Sequence, residues 1–80
     1  MQVTIRLFAS LREEVGQETV SLELENPATV DTLLSAFSAA YPQAKSVGQA
    51  LVAVNQEVAE GKTGVAAEDE VALLPPVSGG

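Results

Sequence analysis

A single stretch of helical periodicity, bracketed by segments that alternate like strands, constrains the fold of this chain more than any other feature. Val30, Leu33, Leu34, Phe37 and Tyr41 recur at helix spacing. They form one apolar stripe on a helix that Thr29 starts as N-cap, Asp31 suits in its first turn and Pro42 ends. Ahead of it, Val3, Ile5 and Leu7 alternate with Gln2, Thr4 and Arg6, and Val20, Leu22 and Leu24 alternate with Ser21, Glu23 and Glu25. A period of two marks strands with one buried face, and the second run ends at Asn26 and Pro27. Phe8 to Val15 reads as a short helical or turn segment stopped by Gly16. Beyond the helix come an apolar strand from Leu51 to Val54, an Asn55-Gln56 turn, an extended piece around Val58 and a Gly61 to Gly64 loop. Glu70 to Leu74 is apolar enough to be a buried central strand.

The order of two strands, a helix, then two or three strands predicts one α+β domain over residues 1–80, a mixed sheet with one main helix across it. The helix supplies the long crossover that lets the first and last strands pair in parallel at the middle of the sheet. That is the β-grasp arrangement of ubiquitin. A ferredoxin-like or other small α+β sandwich shares the same periodicity.

Composition removes most chemistry from the side chains. Eighty residues bury only about 60% of their unfolded surface, which leaves one modest core and little room for a deep pocket. The chain has no Cys and no His, so the commonest nucleophile, the commonest general base and the softest metal ligands are missing together. Eleven acids against four bases give a net charge of −7, a field that repels nucleic acid and anionic lipid surfaces. It either steers the chain toward a basic protein surface or serves solubility alone. No apolar run approaches the roughly 18 residues of a membrane span, and a strand follows Met1 with no basic leader, so the expected location is cytoplasmic. Gly61-Lys62-Thr63-Gly64 lacks the upstream glycine of a nucleotide-binding loop and reads as a plain loop. Glu68, Asp69 and Glu70 match no metal-binding spacing and read as a solvated turn, so no metal or cofactor site is expected on this chain.

The reactive candidate is the C-terminus. Pro75 and Pro76 have no N–H to donate, so they end the last strand and direct the chain outward as a tail over residues 75–80. They favour an extended Val77 and Ser78, which lowers the entropy lost when a partner grips the tail. Gly79 and Gly80 lack a Cβ and fit a passage one backbone wide. A carboxylate acylates nothing until it is joined to a better leaving group, such as a nucleotide phosphate, and that requires a second protein. The ending marks a substrate, not a catalyst.

Three blocks carry a family resemblance that runs nearly end to end: Phe8-Ala9-Ser10-Leu11-Arg12-Glu13, Val52-Ala53-Val54-Asn55-Gln56, and Asp69-Glu70-Val71-Ala72-Leu73-Leu74-Pro75-Pro76-Val77-Ser78-Gly79-Gly80. The chain resembles the MoaD family, the ubiquitin-like small subunit of molybdopterin synthase. The resemblance implies that an adenylating activator uses ATP and magnesium to form an acyl-adenylate on Gly80, and that sulfur then replaces AMP to give a thiocarboxylate. It further implies that the tail enters the large subunit, where two deliveries build the dithiolene of molybdopterin from cyclic pyranopterin monophosphate. The assembly it implies is a heterotetramer with two large subunits at the centre, and the catalytic side chains belong to the large subunit. Family members hold both partners through an apolar patch near the tail, which corresponds here to Phe8, Val58 and Leu74. Phe8 is out of phase with Val3, Ile5 and Leu7, so it is expected exposed on the opposite side of the sheet. Leu74 stands where some members carry Phe, making the patch less aromatic. Arg12 is a solvated charge or the rim of an ion pair. Competing readings are a carrier for thiazole, cysteine or transfer-RNA thiolation, a modifier that becomes joined to lysines of other proteins, and an interaction domain with an inert tail.

Overall fold

A computed structural model describes residues 1–75. The elements run β1 (Gln2–Leu7), α1 (Ala9–Val15), β2 (Thr19–Glu23), β3 (Ala28–Thr29), α2 (Val30–Ala40), a 3-10 turn (Lys45–Gln49), β4 (Leu51–Val54), β5 (Glu57–Val58), β6 (Gly64–Val65) and β7 (Val71–Leu74). Five strands form one mixed sheet in the order β2-β1-β7-β4-β5. The first and last strands lie side by side at its middle in parallel, with Ile5 opposite Val71 and Leu7 opposite Leu73. The other pairings are antiparallel, and α2 provides the crossover. This is the ubiquitin-like β-grasp fold.

Alternation decides which face is covered. Val3, Ile5 and Leu7 of β1, Val20 and Leu22 of β2, Val71 and Leu73 of β7, and Val52 of β4 are all buried, and they pack in one cluster with Val30, Leu33 and Phe37 of α2. Phe37 is fully enclosed, and its ring meets that of Tyr41 with centroids 5.1 Å apart. Removing a side chain of that size from water contributes about 1.5–3 kcal/mol.

Helix α2 begins where expected, but its start is secured by more than its cap. The Thr29 hydroxyl accepts the Thr32 N–H at 3.3 Å. In addition, the Val30 N–H donates to the Thr63 carbonyl at 2.9 Å and the Asp31 N–H to the Gly61 carbonyl at 3.0 Å. The Gly-Lys-Thr-Gly segment is therefore the structural partner of a helix end, supplying acceptors to otherwise orphaned donors. A Cβ at residue 61 would meet only the carboxylate of exposed Asp31, the free end of a side chain that can turn aside. Two elements escape the sequence reading. One is the two-stranded ladder of β3 and β6, pairing Ala28 with Val65; the other is the 3-10 turn, which has no apolar stripe.

Candidate functional site

The face of the sheet turned away from α2 holds the residues singled out for partner binding. Pairings place Arg6 beside Ala72, Ala72 beside Ala53, and Ala53 beside Val58, while Leu51 lies beside Leu74. Extending the β1–β7 register by one residue sets Phe8 next to Leu74. Phe8 itself is extended, with φ −134° and ψ 154°, so its side chain falls on the opposite side from Leu7. The result is two adjacent apolar rows, Phe8–Leu74–Leu51 and Ala72–Ala53–Val58. Val58 is 69% exposed. Phe8 differs from the expected open aromatic: it is half-buried, because the Arg6 guanidinium lies 5.6 Å from its ring centroid and its other surroundings are the pocket described next. The sequence reading missed Leu51, Ala53, Ala72 and Arg6, whose common face follows only from strand order.

Because β1 and β7 are parallel, Phe8 and Pro75 leave the sheet at the same end of the strands. Pro75 is exposed. Beside it opens a pocket of about 150 Å³ walled by Phe8, Leu11, Ala50 and Pro75, with Ser10, Ser46 and Gln49 completing the lining. Pro76, Val77, Ser78, Gly79 and Gly80 lie outside the described residues.

Two polar clamps brace this end and the far end of the face. The Glu14 carboxylate accepts both the N–H of Ser46 at 3.0 Å and its hydroxyl at 2.8 Å, tying α1 to the 3-10 turn. The Ser46 N–H, then its hydroxyl, hold the Glu14 carboxyl below the usual carboxylate range. At the β4–β5 hairpin, Asp69 accepts the Ala66 N–H at 2.8 Å and the Asn55 side-chain amide at 3.1 Å, which lowers its pKa in that order of effect. Asp69 thus shapes a loop, and Glu68 and Glu70 beside it are exposed. No group of three or more Asp, Glu, His or Cys side chains is gathered in metal-binding fashion among the described residues. Arg12 makes a loose pair with Glu18 at 3.7 Å within the chain, both side chains largely in solvent, a contact of little net energy. An apolar face with a single overlying guanidinium and a projecting root is equipped to dock another protein.

The ThiS family profile matches residues 5–80. The chain belongs to the ThiS family. Among relatives of this ThiS-family chain, the molybdopterin synthase sulfur carrier subunit of Chlamydomonas reinhardtii is 39% identical over 83 aligned positions, spanning 100% of both chains. Small archaeal modifier protein 1 of Haloferax volcanii is 38% identical over 84 positions, covering 94% of this chain and 97% of its own length. The crystal structure of SAMP1 from Haloferax volcanii superposes with a TM-score of 0.86 at 36% identity, covering 100% of both chains. Family and fold together make this ThiS-family chain a MoaD-like, ubiquitin-fold sulfur carrier. No helix among the described residues is long and apolar enough to cross a membrane.

Proposed function

We propose that this ThiS-family chain is the sulfur-carrier subunit of a molybdopterin synthase, with Gly80 as the atom-carrying end. An adenylating activator, working with ATP and magnesium, joins the Gly80 carboxylate to AMP and releases pyrophosphate. Sulfur at the oxidation level of hydrosulfide then attacks the acyl carbon, the bond to AMP breaks, and AMP leaves with a thiocarboxylate formed on Gly80. The large subunit receives the tail, and the sulfur passes to cyclic pyranopterin monophosphate, two deliveries completing one dithiolene. Phe8, Val58 and Leu74 dock first the activator and then the large subunit; Pro75, Pro76, Val77 and Ser78 form the stem; Gly79 gives passage. The assembly is a cytoplasmic heterotetramer.

The reading is carried by similarity over the whole chain to a molybdopterin synthase carrier subunit, a name that implies a further subunit. The position of the tail root at the edge of an apolar face supports it, since a protein docked there lies next to the departing tail. A second reading, a modifier joined to lysines of target proteins, is favoured by the comparable identity to small archaeal modifier protein 1. Carriers for thiazole, cysteine or transfer-RNA thiolation share the tail chemistry and differ in acceptor.

The test is capture of the chain, free at its C-terminus, from native lysate, with intact-mass and partner identification in one experiment. A synthase large subunit together with a fraction of chain carrying one oxygen-to-sulfur exchange supports the proposal. Isopeptide conjugates without that exchange, or a different sulfur acceptor, replace it with one of the other readings.

A further inference from the structure

We propose that the pocket at the tail root is the seat for one apolar side chain of the protein that receives the tail, a deepening of the carrier reading above. Its size is the first reason: about 150 Å³ is the volume of an apolar cavity that takes up benzene, enough for a leucine-sized or phenyl-sized group. The lining is the second. It grades from buried Leu11 through half-buried Phe8 and Ala50 to exposed Ser10 and Gln49, the apolar floor and polar rim of a docking socket.

Preformed walls are the third reason. Glu14 holds Ser46 through two hydrogen bonds, and the Arg6 guanidinium backs the Phe8 ring, so little ordering is left to be done on binding. The fourth is position. Pro75, the last described residue before the tail, is part of the wall. A protein that binds the chain directly beyond Pro75 has this wall within its reach. Phe8 belongs both to the pocket and to the row with Leu74, so socket and apolar face form one continuous surface. The occupant is therefore a side chain of that protein, placed so that seating it aligns the tail for entry.

The experiment compares the full-length chain with S10F and Q49F, each adding bulk at an exposed rim position away from the core. The chains are titrated calorimetrically into the synthase large subunit and the adenylating activator, and the isotope-labelled chains are titrated with benzene by NMR. Both variants are expected to weaken binding at least about tenfold with melting temperature unchanged, and benzene is expected to shift the amides of Leu11, Ser46 and Ala50 in the wild type only. Wild-type binding with both variants equally tight overturns the socket and leaves the carrier reading intact. Absence of wild-type binding to the large subunit overturns the synthase reading instead, and the activator titration then decides the socket by the same comparison. If neither protein discriminates the variants, the socket is overturned. It is overturned too if removing residues 76–80 by itself shifts the same amides and strengthens benzene binding, because the occupant is then the chain's own Val77.

Discussion

Asn55 and Gln56 turn the chain between β4 and β5 with φ of 53° and 72°, the left-handed pair of a type I′ hairpin. The two residues differ in what they gain from it. Asn55 tolerates the conformation and uses its side chain: the amide oxygen accepts the Glu70 N–H at 2.9 Å and the amide nitrogen donates to Asp69. Gln56 is exposed and carries a Cβ where glycine is favoured. Gln56→Gly is accordingly expected to raise stability by about 1 kcal/mol, read by urea denaturation. Asp69 and Glu14 set the response to acid. Both are held below the ordinary carboxylate range in the folded chain, so their contribution is present at neutral pH and is lost as pH falls through their lowered values. With no His in the chain, the melting temperature should be nearly flat from neutrality to mildly acidic pH and then decline. Asp69→Asn should lower it at pH 7 and make the acid decline shallower, as thermal melts across pH will show. The turn was legible from Asn55-Gln56 alone. Its clamp to Asp69 and Glu70 was not, because contacts between segments this far apart follow no local period.

Among the elements, α2 is the one on which the fold depends most. Phe37 is completely enclosed between it and the sheet, and Phe37→Ala should cost about 3–5 kcal/mol. A domain of this size commands roughly 4–12 kcal/mol in all, so the variant should unfold at low denaturant or fail to fold, which circular dichroism in a urea series will measure. α2, β1 and β2 were readable because each repeats its apolar residues over two or more periods, and β7 because Val71–Leu74 is a continuous apolar run. β3 and β6 hold two residues each, too few to repeat anything. β4 read as uniformly apolar because Leu51, Val52, Ala53 and Val54 are all apolar, and Val52 and Ala53 are both buried although they point to opposite faces. Its place in the sheet, and with it the membership of Leu51 and Ala53 in the docking face, required the strand order.

The molecule as a whole folds on one side of its sheet, where α2 packs, and leaves on the other the apolar face proposed above to bind the partner. Val58 lies on the binding side at an edge strand, so Val58→Asp should cost less than about 1 kcal/mol of stability while weakening partner affinity about tenfold or more, because a charge is left desolvated in an apolar contact. Calorimetric titration beside a thermal melt separates the two effects. Deleting Gly80 should abolish sulfur transfer, measured as thiocarboxylate formation and product yield, while melting temperature and large-subunit affinity stay nearly unchanged. Phe8 and Leu74 were legible as surface candidates from phase and resemblance. The pocket between Phe8, Pro75 and Gln49 was not, since α1, the 3-10 turn and the end of β7 meet only in the folded chain. The central place of β7 also has a bearing on synthesis. The last of the described strands pairs with both β1 and β4, so a nascent chain that stops short of Val71 has two half-sheets and nothing to join them. Chains truncated before Val71 are therefore expected to be open to proteolysis, and residues 76–80 follow only on chains that already carry the strand joining the two halves.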